Sequence, residues 1–183
     1  PPSAPPAGGA STGTVKAVDA NWNLVNSVDT AGITSTDANA TLPANAALVA
    51  GTKTFSITPK TAGSATFTAT DITNGGITAN TSPATTVNAG AATKLQILMP
   101  GEATSPGSAT GKTGSPSAQT AGGAFTVTVN AVEANWNPVN SVDTAGDTSP
   151  EPNATLPANA APAPGPETTA TPYVPGATAR PAE

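Results

Sequence analysis

The sequence predicts an all-β protein made of repeated sandwich domains, and three observations lead to that fold class. Apolar residues alternate with polar ones at every second position in several short stretches. Clusters of Asn, Gly and Pro separate these stretches as turns would. The chain also repeats itself at an offset of 114 residues, a period that suits one sandwich domain of roughly 100 residues plus a linker.

The repeat is the strongest signal in the sequence. Residues 1–47 and 115–161 are identical at 35 of 47 positions. The segment AVDANWN at 17–23, for example, recurs as AVEANWN at 131–137. Identity at this level does not arise by chance, so the chain contains two copies of one repeat.

The repeat frame predicts the extent of each copy. The first copy, 1–89, is expected to lack its first strand, because the apolar segment TKLQILMP at 93–100 of the second copy has no counterpart there. The second copy, 90–161, is expected to contribute only its N-terminal half. We therefore expect a fragment of a longer array in which one copy lacks its beginning and the other its end.

Two segments are predicted to be disordered, without stable strand pairing. The insertion at 101–122 is built from Gly, Ser, Pro, Thr and Ala and has almost nothing to bury. The tail at 162–183 is rich in proline, which removes donors from a β-ladder. Likeness to the first copy stops at Ala161, so an error-containing reading frame is a further hypothesis for the tail.

The predicted strands each place their apolar residues on one face. Strands are also expected at 64–71 and 77–87, and Thr suits the solvent-facing positions. The inward residues are expected to be Phe55 and Ile57 in 53–58; Ala65, Phe67 and Ala69 in 65–70; Leu95, Ile97 and Met99 in 94–99; and Phe125, Val127, Val129 and Ala131 in 125–131.

Two arrangements of these strands remain open. Ser11 and Gly13 stand where the second copy has Phe and Val, and each large side chain buried is worth about 1.5–3 kcal/mol. A sandwich within 1–89 is therefore weakened, and a merged sandwich that joins 53–89 to 93–142 would bury more apolar area. We favour the first arrangement, because the first copy keeps its own valines in sequence order with its own later strands.

Composition excludes several classes of function. The chain has no Cys and no His, which removes disulfides, thiolate metal sites and the commonest general base. We therefore expect no enzyme, no catalytic residue and no cofactor. The six cations are spread singly among eleven acids, so we expect no nucleic-acid partner. No apolar run reaches the ~20 residues that span a bilayer, so we expect no membrane insertion in this segment.

A weak metal motif lies in the first copy. Asp19, Asn21 and Asn23 imitate the alternating oxygens that open an EF-hand loop. The sixth position of that loop is leucine rather than glycine, and the twelfth is threonine rather than glutamate. A turn in which these side chains bond their own backbone is the favoured interpretation, and a looser Ca²⁺ site using Asp19 or Asp29 is the weaker one.

One tryptophan per copy is the other candidate for binding. Trp22 and Trp136 could stack on a sugar ring, as exposed indoles do in carbohydrate-binding modules. A single tryptophan without a second aromatic residue more often covers the end of a sandwich or packs on a neighbouring domain. We favour the packing role.

Three segments resemble the bacterial immunoglobulin-like repeats of invasin- and intimin-type adhesins and large surface proteins. They are AVEANWNPVNS (131–141), NATLPAN (39–45) and KTAGSATFTATD (60–71). The sequence departs from that family where Trp22 and Trp136 replace the usual turn glycine. The resemblance implies immunoglobulin-like β-sandwich repeats at an extracellular, bacterial cell-surface location.

Two functional hypotheses follow. The leading one is a structural spacer that holds a distal tip away from the cell and whose partners are neighbouring repeats of the same chain. A host surface or glycan would then be bound by domains outside this segment. The alternative is a ligand-binding module in which residues near Trp22 contact a glycan or a host protein.

Overall fold

The computed structural model describes residues 5–141, 143–146, 148–150, 152–156, 158–159 and 169–173. These residues form strands, turns and irregular segments, and the predicted all-β class is confirmed. The chain divides into two compact units, Pro1–Ala89 (unit 1) and Gly90–Glu183 (unit 2). No helix in the described part of the chain has the length and hydropathy needed to cross a bilayer.

Unit 1 contains eight strands in three antiparallel groups, ordered β1-β4, β3-β2-β6-β7 and β5-β8. The predicted alternation holds in β4, where Phe55 and Ile57 are buried and Thr54 and Ser56 are exposed. The strands are β1 (Ser11–Lys16), β2 (Thr30–Ser35), β3 (Ala46–Ala47), β4 (Thr52–Ile57), β5 (Gly63–Ala65), β6 (Phe67–Asp71), β7 (Asn80–Thr81) and β8 (Thr85–Val87).

A buried cluster joins two of these sheets. Phe55 from β4 packs with Ala31 from β2 and with Leu48, and the half-buried Val15 and Ile33 lie against them. The β1–β4 pair and the four-stranded sheet therefore form two layers around one apolar core. Immunoglobulin-like connectivity stays a prediction.

The strand predicted over 64–71 is divided at Thr66. β5 pairs with β8, whereas β6 pairs with β2 and β7. At the division, Thr66 N–H donates to the Thr36 hydroxyl and Thr36 N–H donates to the Thr66 carbonyl. These two bonds take Thr66 out of the ladder, so one apolar alternation serves two sheets. The strand predicted over 77–87 is likewise divided, into β7 and β8.

Asp37 braces the loop after β2 against the segment that follows β4. Its carboxylate accepts hydrogen bonds from the N–H groups of Asn39, Lys60 and Thr61 and from the Thr61 hydroxyl, at 2.7–3.0 Å. Burial by itself would raise the pKa of Asp37, but the Thr61 and Lys60 N–H groups outweigh it and lower the pKa.

Unit 2 is centred on a long strand. β12 pairs antiparallel with β9 on one edge and with β13 on the other. A separate hairpin is formed by β10 and β11. The strands are β9 (Lys94–Leu98), β10 (Glu102–Thr104), β11 (Lys112–Gly114), β12 (Phe125–Val132) and β13 (Thr169–Tyr173).

The face of β9 is opposite to the one predicted. Gln96 and Leu98 are buried, whereas Leu95 and Ile97 are exposed. Gln96 accepts a bond from the Asn130 amide at 3.0 Å and donates one to the Gly111 carbonyl at 2.8 Å. This buried amide pair turns the Gln96 face of β9 towards the interior. The prediction from apolar alternation was therefore wrong about which face of β9 is buried.

The insertion at 101–122 is not an unpaired segment, which corrects the sequence prediction. Glu102 pairs with Gly114, and its carboxylate forms an ion pair with Lys112 at 2.8 Å. Gly101 and Gly107 adopt positive φ values that other residues avoid. The hairpin is therefore stabilised by backbone bonds, an ion pair and glycine turns rather than by an apolar face. Residues 115–120 carry no strand.

A strand also lies in the segment predicted to be a disordered tail. β13 (Thr169–Tyr173) pairs with Phe125–Val129 of β12. Proline is tolerated there because β13 is the outer strand of its sheet. The prediction for 162–168 and 174–183 lies outside the described residues.

We expect the Asp37 brace to make unit 1 sensitive to acid. Because the folded pKa is lowered, Asp37 stabilises the fold above the unfolded pKa of about 3.9, and this contribution is lost as pH falls through the folded pKa. Asp37→Asn should cost about 1–3 kcal/mol at neutral pH and flatten the loss of stability as the pH falls below the unfolded pKa of about 3.9. Denaturant unfolding followed by NMR of the Phe55 and Ile57 amides measures both effects.

Asp71→Asn is the matched control for that experiment. Asp71 also accepts two turn N–H groups, from Thr73 and Asn74, but it is more exposed than Asp37. Asp71→Asn should therefore lower the free energy of unfolding by less than Asp37→Asn does. Identical acid profiles for the parent and Asp37→Asn would show that the brace does not contribute to stability.

Candidate functional site

The candidate site is a tight hairpin that occurs once in each unit. We call Asp19–Asn23 the first tryptophan loop and Glu133–Asn137 the second. In the first, Asp19 N–H donates to the Asn23 carbonyl and Trp22 N–H to the Asp19 carbonyl, each at 3.0 Å. The second has the same two bonds, at 3.1 and 3.0 Å. The repeated sequence therefore builds the same turn twice.

Both tryptophans have a left-handed backbone conformation. The φ angle is 65° at Trp22 and 67° at Trp136. This region suits glycine and is uncommon for other residues, at a cost of roughly 1–3 kcal/mol. Each tryptophan thus has a backbone conformation that glycine adopts more readily than other residues. Because both loops place a bulky residue at a strained position, we infer a functional role for the indole.

In the first loop the acid is exposed. One oxygen of Asp19 accepts the N–H groups of Asn21 and Asn23 at 2.9 Å, and the Asn23 side-chain amide reaches both oxygens. The Asn23 side chain is the main reason that the pKa of Asp19 lies below its ordinary value, and the Asn23 and Asn21 N–H groups add to it.

In the second loop the acid is buried. Glu133 is 3% exposed. It accepts the N–H groups of Asn135 and Asn137 at 2.7 and 3.1 Å, and the side-chain amides of the same two residues at 3.2 and 2.7 Å. The carboxylate fixes four donors in a water-poor environment, where each bond is stronger and its loss more costly.

Trp136 is enclosed by groups from other elements of unit 2. The Lys94 ammonium lies 3.4 Å from the centroid of the indole, a cation–π contact, and donates to the Ala134 carbonyl at 2.9 Å. Gly111 packs so closely on the ring that a Cβ there would collide with it. Gly107 N–H donates to the Asn135 carbonyl at 2.7 Å. The β10–β11 hairpin thus covers the second tryptophan loop.

Trp22 has a different environment. It is 73% exposed, and no lysine among the described residues lies over its ring. It borders a cleft of about 1220 Å³ within unit 1, lined also by Val15, Phe67 and Ile77. Two loops of the same sequence pattern therefore present one enclosed and one open indole.

The structure brings together only some of the candidate Ca²⁺ ligands. Asp19, Asn21 and Asn23 share one turn, in which amide donors already occupy the carboxylate oxygens. Asp29 lies just before β2, where its N–H bonds the Ser27 hydroxyl. Across the described ranges, no three His, Cys, Asp or Glu side chains form a cluster that could hold a metal ion.

Sequence reasoning missed the residues that enclose Trp136. The sequence predicts Lys94 only as the start of an alternating strand and places Gly107 and Gly111 in a disordered insertion. Their spacing from the loop is irregular, so the sequence alone offered no periodic signal for them. The one available signal was the repeat frame, since all three residues lie in the segment that the first copy does not contain.

Comparison with known proteins gives little. No family model matches the chain, and no curated protein matches it. Among solved structures, the chain is similar to domains 5–6 of the S-layer protein SbsC, with a TM-score of 0.35 and 17% sequence identity. That alignment covers 97% of this chain and 81% of the other. At this TM-score the likeness carries no argument about fold or role.

The two loops allow a matched test of burial. Glu133→Gln removes acceptor capacity from a buried site that holds four donors, so it should destabilise unit 2 by about 1–3 kcal/mol. Asp19→Asn makes the equivalent change in an exposed turn, where water replaces the lost bonds, and should cost under about 1 kcal/mol. Denaturant unfolding with NMR detection in each unit measures both. Equal costs would contradict a role for burial.

We expect no stabilisation by Ca²⁺. A site that binds only the folded state raises stability by about 2.7 kcal/mol at 100 times its dissociation constant, and the Asp19 oxygens are already bonded to amide donors. Thermal unfolding with millimolar CaCl₂, and again after chelation, is the measurement. A reversible rise in Tm that Asp19→Asn abolishes would instead establish a metal site.

Proposed function

We propose that this chain is a structural spacer, a segment of a tandem β-domain array in a bacterial cell-surface or secreted adhesin-like protein. Its partners would be neighbouring repeats of the same chain. The proposal includes no catalytic role and no nucleic-acid partner. The observation that carries it is that the same structural framework occurs twice at a fixed offset.

The repeated framework extends beyond the tryptophan loops. Gly32 lies against the Asn45 amide oxygen in unit 1, and Gly146 lies against that of Asn159 in unit 2. Each pair is one period apart from the other. The Ser27 hydroxyl accepts the Asp29 N–H, and Ser141 and Asp143 repeat this bond at 3.1 Å.

These repeated contacts stabilise turns and closely packed backbone segments. The side chains that make them are engaged in structural hydrogen bonds and packing. Arrays of such units are typical of proteins in which repetition supplies length. Fold alone does not assign a ligand. The extracellular location and the adhesin context rest on the sequence resemblance to bacterial immunoglobulin-like repeats.

The spacer role predicts that added repeats add length. Residues 1–114 form one full period, so one, two or three copies of them can be joined in phase ahead of Pro1. We expect the maximum dimension in small-angle X-ray scattering to rise by an equal increment per period. Growth as the cube root of mass, as for a globule, would exclude a spacer.

A ligand-binding module is the second candidate, and the exposure of Trp22 favours it. A strained, exposed indole beside a cleft offers a stacking surface for a sugar ring. A glycan-array signal lost in Trp22→Ala and kept in Trp136→Ala would support this role, because only Trp22 is open. An array without signal for the parent chain would leave the spacer as the better account.

A further inference from the structure

β1 of unit 1 belongs to a two-stranded sheet, and one of its edges has no strand partner among the described residues. β1 pairs with β4 through Val15↔Lys53, and Ala17 N–H donates to the Gly51 carbonyl. In an antiparallel ladder, alternate residues point their N–H and C=O groups to opposite edges. Thr14, Lys16 and Val18 therefore direct theirs away from β4.

Unit 2 shows what occupies the equivalent edge. One period on, these three residues correspond to Thr128, Asn130 and Val132 of β12, which pair with Leu98, Gln96 and Lys94 of β9. The other edge of β12 pairs with β13, as β1 pairs with β4. β12 therefore has two ladders, with β13 and β9, whereas β1 has only the ladder with β4 among the described residues.

The segment that supplies this ladder also encloses the tryptophan. Lys94 begins β9 and lies over the Trp136 ring, and the hairpin that follows β9 places Gly111 against the ring. Gly107 adds a backbone bond to the loop. One continuous segment, Lys94–Gly114, therefore pairs the strand edge and covers the loop.

Unit 1 presents the matching surface uncovered. It consists of the unpaired edge of β1, the 73% exposed Trp22 and the apolar cleft of about 1220 Å³ that Val15 and Phe67 line. Ile97 of β9 pairs with Val129, the counterpart of Val15, so an isoleucine at that position of an incoming strand would lie on the same face as Val15, towards this cleft.

We propose that this surface is a docking site for a strand followed by a glycine hairpin, of the chemistry of Lys94–Gly114, joined to the amino-terminal side of Pro1. The incoming strand adds to β1 by backbone pairing. Its lysine lies over the Trp22 ring, and its hairpin glycine packs against that ring. The site recognises another copy of the repeat's own segment rather than a soluble ligand.

One substitution between the copies sets a preference within this site. Asn130, which donates to Gln96 in unit 2, is replaced in unit 1 by Lys16. A strand docked on β1 therefore meets a cation at that position. Glutamate there should bind better than glutamine, and lysine worse, because Lys16 donates and carries positive charge.

The test adds a copy of residues 90–114 directly ahead of Pro1 of the full chain, which keeps the repeat phase. Hydrogen exchange at the Thr14 and Lys16 amides should slow by at least about tenfold, as expected when an open edge becomes paired. Acrylamide quenching of Trp22, measured in Trp136→Phe, should fall towards the value for Trp136, measured in Trp22→Phe. A glutamate in place of the copied Gln96 should slow exchange further.

A control extension of equal length carries Gly111→Val and Ile97→Lys in the copied segment. It should leave exchange and quenching unchanged. Equal protection by both extensions, or no protection by the first, would overturn the proposal. So would slow exchange at Thr14 and Lys16 in the unextended chain. The exchange measurement needs no tryptophan substitution, so it decides the matter even if Trp136→Phe fails to fold.

Discussion

The arrangement of unit 2 depends on the antiparallel ladder between β9 and β12. Because β9 pairs with β12, the hairpin that follows β9 is held beside the second tryptophan loop, and Trp136 and Glu133 are enclosed. β1 of unit 1 is the counterpart of β12 and shares with it the residues Thr12, Thr14 and Val15, but it lacks that ladder among the described residues, and its loop is open. The environment of the second loop is thus decided by the pairing of β9, whose first residue, Lys94, lies 40 residues before Ala134 in sequence, and not by the loop itself.

Hydrogen bonds between polar side chains and backbone groups supply much of the stabilisation that apolar packing supplies in other small domains. Large apolar residues are few, and many of those described are exposed, including Val28, Val49 and Leu95. Acids compensate: Asp37 and Glu133 each hold several N–H donors at a turn. Hydrogen bonds to a charged group contribute about 1.5–3 kcal/mol, comparable with burying one large side chain. Such bonds fix turns in a definite geometry, which a thin core alone would leave loose.

The sequence predicted the fold class and the repeat but not the pairing. Alternation located β4 and β12 because Phe55, Ile57 and Val127 are apolar residues on a buried face. It failed for β9, where the buried face contains Gln96 satisfied by Asn130, since periodicity carries no information on a polar pair brought together by register. It missed the β10–β11 hairpin for a related reason: backbone bonds and an ion pair hold that hairpin, and neither leaves an apolar pattern. Of the candidate site, the turn and its acids were predictable from Asp and Asn spacing, whereas the enclosure of Trp136 depends on contacts distant in sequence.

The left-handed tryptophan links this architecture to function. Holding a bulky residue at positive φ costs roughly 1–3 kcal/mol. In unit 2 the cation–π contact with Lys94, worth about 0.5–2 kcal/mol, and the packing on Gly111 offset that cost. In unit 1 the same strain is present at Trp22 without an equivalent contact in the described structure. The backbone of Trp22 thus already has the conformation of the covered Trp136, with φ angles of 65° and 67°, so an incoming segment would meet little further backbone ordering cost there. In its described residues, unit 1 lacks the ladder that β9 provides in unit 2. Its surface around the strained, exposed Trp22 is therefore the part of the repeat best suited to bind another segment of the same array.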